Sequence, residues 1–596
     1  MALIFVAKVA SGRTKMHHMT AFVVAISTFL IITGCEACTT YAVGLKATAD
    51  GSVMSVHTSD GSGTTDPRLV KIPAQDWPPN SKRPIWESPE KYPRFVGVAR
   101  GSPVYYKENC LAGINACKDF VPMGYIDQVN HTFSYFEETY GAMNEKQVMI
   151  AESTCSGVFV STSIARGGKA LFSVDQLSQV AMERASTARE AVLLMGSLSE
   201  QYGFYGESTS FEGGSESLIV SDPREAWVFH VLADDTGASA IWVAARVPDD
   251  SVAVVANMFS VRVVDLEDDR NFLGRTDMWE LASRKGLWSP EKPKDFTATF
   301  SDGEYAHKYY SGRRMWGVYR LLSPDTPLPA EYENLKTDAP YPFAVKVSDP
   351  STVTPQTLMA VNRDFYNGTQ YSTGDGNLAG GFGGTPDRVG GQESGTSPTV
   401  SGNWERTITL YRTSCSYVLQ GRSFLPDSLG GVLWFGSHSA TATVYVPLVT
   451  AMPESPDPIQ YGWQGSYNLS SLFWANRNVA NLIQKSFSKM VRDVRAAQHK
   501  IEALGESLVS FDSYRLDRSD AVVVDAAVER QVSDTLNAHV DFVLKSTTEL
   551  LHVLQFKYAD GFENTWTADG RFQSATIGYP GWWLSAVGYQ NGPPPP

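Results

Sequence analysis

The chain has 596 residues and a formal net charge of −14, from 50 basic and 64 acidic side chains. With no basic run after the first 37 residues, nucleic-acid binding is excluded, because phosphate neutralisation needs clustered Lys and Arg. Hydrophobic residues at 43% against 19% charged describe a chain able to bury a real core, as several domains or as one large enzyme domain with an appendage.

The first segment carries Lys8, Arg13 and Lys15, then the apolar stretch Ala21–Ile32, then Thr33-Gly34-Cys35-Glu36-Ala37. This reads as a signal peptide over residues 1–37, with an apolar region too short to span a bilayer and cleavage after Ala37. It predicts a secretory-pathway destination, extracellular or in a lysosome- or vacuole-like compartment. Cleavage there makes Cys38 the N-terminal residue, so one residue carries a thiol (free pKa about 8.5) and an α-amine (about 7.7–8.0). A nucleophile and its own base on one residue is what an N-terminal-nucleophile hydrolase needs. Ile32-Thr33-Gly34-Cys35 also resembles a lipobox; acylation at Cys35 would deny Cys38 a free amine and make the chain a lipid-anchored binding protein.

Strand-like runs follow at Thr39–Val43, Gln147–Ala151, Glu216–Val220, Ala226–Val231, Ser251–Asn257, Thr407–Tyr411 and Ala442–Val446. Between them, Val180–Gln201 carries Met182, Ala185, Ala188, Val192 and Met195 at helical spacing, after a strand-like Ala170–Val174. Strands dominate without strict alternation, which predicts a layered α+β core. Ser372–Gly402, rich in Gly, Ser and Thr, reads as a long surface loop. Its Gly374-Asp375-Gly376 matches a dinucleotide fingerprint only loosely and lacks the strand–turn–helix context.

After about residue 455 the pattern changes. Val479, Leu482, Ile483, Phe487, Met490, Val491, Val494 and Ile501, and then Val532, Leu536, Val540, Val543, Leu544, Leu550, Leu551 and Leu554, predict two long amphipathic helices. The last four prolines predict a disordered tail. The division is a signal peptide at 1–37, a catalytic domain at 38–454 and a helical C-terminal extension at 455–596.

Beyond Cys35 and Cys38, the cysteines Cys110, Cys117, Cys155 and Cys415 can pair in three ways, and proximity favours Cys110–Cys117. The ten histidines are scattered and H-E-x-x-H is absent, so no metal and no cofactor are expected. No later apolar run is long enough for stable membrane insertion. Asn130, Asn367 and Asn468 head sequons that would accept glycans in a eukaryotic host.

The run from Cys38-Thr39-Thr40 through Gly44, Ala47 and Asp50-Gly51-Ser52 to Asp60 resembles the opening of the PepD-like dipeptidase family of N-terminal-nucleophile cysteine peptidases, which includes the secernins. Blocks at 144–154, 219–229, 242–257 and 404–412 match in the same order. The resemblance covers most of the chain from Cys38 to about 450. It implies an αββα N-terminal-nucleophile hydrolase sandwich and metal-free hydrolysis of small peptides, chiefly dipeptides. By the same resemblance Cys38 is the nucleophile, Asp60 orients its amine, Asn257 is the oxyanion donor, and Arg314 or Arg313 is the supporting arginine. Thr154 falls where a second oxyanion donor is expected. His57 stands where many relatives carry Arg. Asp50-Gly51 reads as a turn. An acylase acting on a non-peptide amide shares the same nucleophile, and an inactive secernin-like protein is a further alternative; homo-oligomer formation stays open.

Overall fold

The computed structural model describes residues 38–596 except 62, 64, 87–121, 209–210, 305–306, 377–379, 463, 513–523 and 594–596. The leader with Cys35, the Cys110–Cys117 pair and the final prolines 594–596 therefore lie outside the described residues.

Seven strands position the site: β1 (Thr39–Val43), β2 (Val53–Asp60), β3 (Met149–Cys155), β4 (Ser215–Ser221), β5 (Ala226–Ala233), β6 (Ser251–Val255) and β7 (Thr413–Gly421). They belong to two large sheets whose ladders are antiparallel throughout, so the fold is mixed α/β. One sheet runs Val345–Lys346, β6, β1, β2, β7, Val432–Ser437, Val446–Val449. The other runs Phe272–Gly274, Ala240–Arg246, β5, β4, β3, Gly141–Asn144, Tyr135–Glu137, Val70–Ile72.

The two sheets touch through β1 and β2 on one side and β3 and β4 on the other. Side-chain alternation explains how. In β1, Tyr41 and Val43 join one core cluster while Ala42 joins a second with Ala151, Ile219, Val228, Ala253 and Val255. Alanines at this contact let the sheets approach closely. Both faces of β1 and β2 are buried; β1 is apolar or β-branched throughout, whereas β2 carries the buried polar residues Ser55, His57, Ser59 and Asp60.

Helices α1 (Val174–Arg184) and α2 (Ala188–Tyr202) pack Leu177, Val180, Val192 and Met195 against Leu218, Val220, Trp227 and Phe229 of the second sheet. On the first sheet, α3 (Tyr310–Leu322) and α4 (Pro355–Asn362) supply Met315, Val318, Leu358 and Met359. The Tyr41 hydroxyl donates to Leu358 O at 3.1 Å and to Asn362 Oδ1 at 3.0 Å, which ties α4 to β1. Helices α5 (Leu472–Ile483), α6 (Phe487–Leu508) and α7 (Ala526–Lys557) complete the chain's helical end, and Leu472, Ile501, Leu536, Val540 and Val543 enter the same core as the strands. Each such side chain contributes roughly 1.5–3 kcal/mol by leaving water.

Several predicted elements are corrected. The helix expected over Val180–Gln201 is two helices, broken where Thr187 Oγ1 accepts from Glu190 N at 3.2 Å. The first C-terminal helix is likewise two, α5 and α6, with the break at residues 484–486. Thr407–Tyr411 is not a strand; the neighbouring β7 is. Ala170–Val174 forms only isolated bridges, at Ala170 and Phe172. A hairpin, Phe562–Trp566 with Phe572–Thr576, had no clear sequence signal. Cys155 is a buried free thiol, which removes all three complete pairings of the four cysteines, since each of them uses it. Among the described residues no helix is long and apolar enough to cross a membrane.

Candidate active site

Cys38 opens β1 and is 2% exposed. Its carbonyl, rather than its thiol, is the most heavily bonded atom. Arg314 Nη1 donates to Cys38 O at 2.8 Å and to Thr39 Oγ1 at 2.9 Å, and Ser153 Oγ donates to the same carbonyl at 3.2 Å. Arg314 Nη2 donates to Asn257 Oδ1 at 2.6 Å, and Nε to Tyr310 O at 3.1 Å. Burial, reinforced by Arg406, brings the guanidinium down to about 10, still a cation at neutral pH. This arginine therefore clamps the start of β1 to the two residues that follow β6, Ala256 and Asn257.

Asn257 lies just past β6 with φ 59°, the left-handed region that Asn tolerates better than most side chains. Its N–H donates to Ser153 Oγ at 2.9 Å, and Nδ2 donates to Thr154 O at 2.7 Å. With Oδ1 held by Arg314, the amide orientation is fixed and Nδ2 keeps one further hydrogen to donate. Thr154 enters through its carbonyl, because its hydroxyl donates to Glu152 Oε1 at 3.0 Å. The hydroxyl expected to serve as an oxyanion donor is thus already committed.

His57 occupies an opening in the second sheet. The ladder between β3 and Gly141–Asn144 ends at Met149↔Met143. Beyond it, His57 Nδ1 lies 2.9 Å from Glu152 O and 3.1 Å from Glu152 N, in place of a strand. Its ring packs on Tyr417 at 4.9 Å between centroids and edge-on to Tyr140 at 6.0 Å. Burial lowers its pKa to about 4, so it is a neutral imidazole, unlike the arginine expected at this position in relatives. One ligand atom each from Cys38, His57 and Glu152 lies within 4.8 Å of the others. The sequence pattern had pointed to no metal, and these three residues are the described group whose donors converge.

Asp60 ends β2. Its carboxylate is held by Arg406 Nη2 and Thr413 Oγ1, and Arg412 Nη1 donates to its carbonyl at 2.5 Å. Both members of the Asp60–Arg406 ion pair are buried, and the carboxylate pushes the guanidinium pKa up. Burial, and then the charges of Glu152, Glu207 and Asp60, push the Cys38 thiol well up. The thiol is therefore protonated at neutral pH and needs a base to react.

The geometry separates the two arginines. Arg313 donates to Glu405 at 2.6 Å and stacks on Tyr371, and Arg314 alone reaches Cys38 and Asn257. Asp50 accepts from Ser52 N at 3.0 Å, the turn expected of Asp50-Gly51. Sequence reasoning missed Ser153, which bridges Cys38 and Asn257, and Arg406, the partner of Asp60. The need for Arg406 was inferable, since a buried carboxylate requires a cation or strong donors.

A buried thiol at the head of a strand, beside an oriented amide and a clamping arginine, defines a hydrolase built around a cysteine. The comparisons agree: residues 127–500 match the profile of Peptidase family C69, and the chain belongs to that family. It is 25% identical over 377 residues to a "Probable dipeptidase" of Latilactobacillus sakei, covering 63% of this chain and 71% of that protein. It is 22% identical over 458 residues to "Dipeptidase A" of Lactobacillus helveticus, covering 75% and 81%. It is also 22% identical over 533 residues to "Probable dipeptidase A" of Streptococcus pyogenes, covering 87% and 97%. These relatives correct the expected destination. They are bacterial dipeptidases, and they overturn the extracellular, lysosome- or vacuole-like placement predicted from residues 1–37.

Proposed function

We propose that the protein is a cysteine-type dipeptidase whose nucleophile is Cys38 as an N-terminal residue, freed by removal of residues 1–37. The observation that carries this reading is the bonding of Cys38 and Asn257 to one guanidinium, Arg314, with Ser153 bridging them a second time. The contact between the sheets, with helices outside each, supports assigning the fold as an αββα N-terminal-nucleophile sandwich.

In this mechanism Cys38 Sγ attacks the peptide carbonyl while its own α-amine takes the thiol proton, directly or through water. Asn257 Nδ2 donates to the oxyanion, a contribution of roughly 3–4 kcal/mol for one such donor. Collapse of the tetrahedral intermediate breaks the C–N bond, the proton passes to the leaving amine, and water hydrolyses the thioester. An ordinary α-amine, with a reference pKa of about 7.7–8.0, is a far better base than His57 at about 4. The dipeptidase names of the relatives support the substrate class.

The test is hydrolysis of alanyl-alanine by a chain beginning at Cys38, with Cys38→Ala as control and an N-acyl amide as competitor. Turnover of the dipeptide that Cys38→Ala abolishes is expected; a preference for the N-acyl amide would overturn the peptidase reading in favour of an acylase.

A further inference from the structure

The wall beside the nucleophile is acidic, and the mechanism above uses none of its carboxylates. Glu152, Glu207 and Glu216 are all at most 1% exposed. In the β3–β4 ladder Glu216 pairs with Thr154 and Glu152 with Leu218, so Glu152 and Glu216 are diagonal neighbours on one face. Glu207 accepts from the Tyr140 hydroxyl at 2.8 Å. Burial, then Glu152 and Glu207, push the Glu216 carboxyl well up. Beside them His57 Nε2, wholly buried, has no hydrogen-bond partner among the described residues.

For catalysis alone this arrangement is adverse, because Glu152 and Glu207 oppose ionisation of Cys38. A positive group arriving with the substrate removes that opposition. In a dipeptide the free α-nitrogen lies about 2.5 Å from the scissile carbonyl carbon, two bonds away. In a near-attack geometry that carbon is about 3–3.5 Å from the sulfur. A carboxylate oxygen within 4.8 Å of Sγ is then placed to accept a charge-assisted hydrogen bond of about 2.8 Å from the nitrogen.

We propose that Glu152, with Glu216 beside it on the same sheet face, forms the subsite for the free α-ammonium of the substrate's N-terminal residue. This deepens the dipeptidase reading and rests on it for the role of Cys38. It accounts for a free-amine requirement, since an N-acylated substrate brings no charge and leaves Glu152 buried beside an uncharged amide. Binding also raises the fraction of thiolate, so the correct substrate helps activate its own nucleophile.

The test reads binding without turnover. Iodoacetamide labelling of Cys38 in the full chain, followed by peptide mass mapping, is measured with alaninamide or N-acetylalaninamide as protectant. Protection by alaninamide at concentrations at least tenfold lower than by its acetyl form is expected. Glu152→Gln is expected to abolish that difference, and the milder Glu152→Asp to shrink it several-fold with N-acetylalaninamide unaffected. Equal protection by the two amides in the unaltered protein overturns the subsite, whether or not Glu152→Gln folds. Full discrimination retained in a cooperatively melting Glu152 variant also overturns it. Dipeptide hydrolysis is scored separately: a chain protected by alaninamide but inert on dipeptides keeps the subsite and loses the dipeptidase reading, and the opposite pattern does the reverse.

Discussion

Arg314 and Asn257 are 57 positions apart and meet through a 2.6 Å hydrogen bond from Nη2 to Oδ1, with the same guanidinium holding the carbonyl of Cys38. The amide of Asn257 is thereby fixed before any substrate arrives, as an oxyanion donor must be.

Removing that amide tests its role. Asn257→Gly keeps the left-handed backbone, and kcat for a dipeptide is expected to fall by roughly 10²–10³ with little change in KM. Asn257→Ala should lose the same activity and also melt lower, because Ala resists the positive φ. Steady-state kinetics and thermal melting of the two variants separate catalytic from backbone effects.

The Asp60–Arg406 pair predicts a large asymmetric cost. Arg406→Ala leaves a buried carboxylate uncompensated and is expected to destabilise the fold by about 3–5 kcal/mol. Adding Asp60→Asn to it should recover part of that loss. Urea unfolding of the single and double variants gives the coupling energy directly.

Acid should weaken the protein through buried histidines. His230 Nε2 accepts from Ser260 N at 3.0 Å and Val261 N at 3.1 Å, so protonating it breaks both bonds. Burial lowers its pKa to about 3 from an ordinary 6.5. A folded pKa below the unfolded one gives stability that is full above pH 6.5 and lost as pH falls from 6.5 towards 3. The loss is about 5 kcal/mol. His230→Gln, whose side-chain oxygen can accept the same two N–H groups, should show a correspondingly flatter decline in urea midpoints between pH 7 and 4.

His57 is expected to be dispensable as a base. His57→Gln should keep dipeptide turnover within about tenfold, because a nitrogen with pKa near 4 supplies little driving force for taking a thiol proton. Complete loss of activity in a normally melting variant would show that the imidazole is specifically required.

The parts of this fold legible in the sequence were those whose signal is local. β1 was read at its observed limits because Thr39–Val43 is β-branched and aromatic and buried on both faces. The break between α1 and α2 was also written there, as the Thr187-x-x-Glu190 capping pattern, but the continuing run of apolar residues obscured it. Thr407–Tyr411 looked like a strand by composition. Its threonine hydroxyls instead bond nearby carbonyls, Thr407 Oγ1 to Thr409 O at 2.6 Å and Thr409 Oγ1 to Asn362 O at 2.8 Å. At the site, Cys38, Asp60 and Asn257 stood out by motif. Arg406, Ser153 and the Glu152–Glu216 pair did not, because only strand register and long-range packing bring them to the nucleophile.

The central claim is that Cys38 works through its own free amine. Two forms of the protein test it most directly: one beginning at Cys38, confirmed by intact mass and terminal sequencing, and one retaining residues before it. The form beginning at Cys38 is expected to hydrolyse alanyl-alanine at least 10²-fold faster, the scale of a general base. Equal turnover by the extended form would contradict the amine–thiol mechanism and pass the base role to another group.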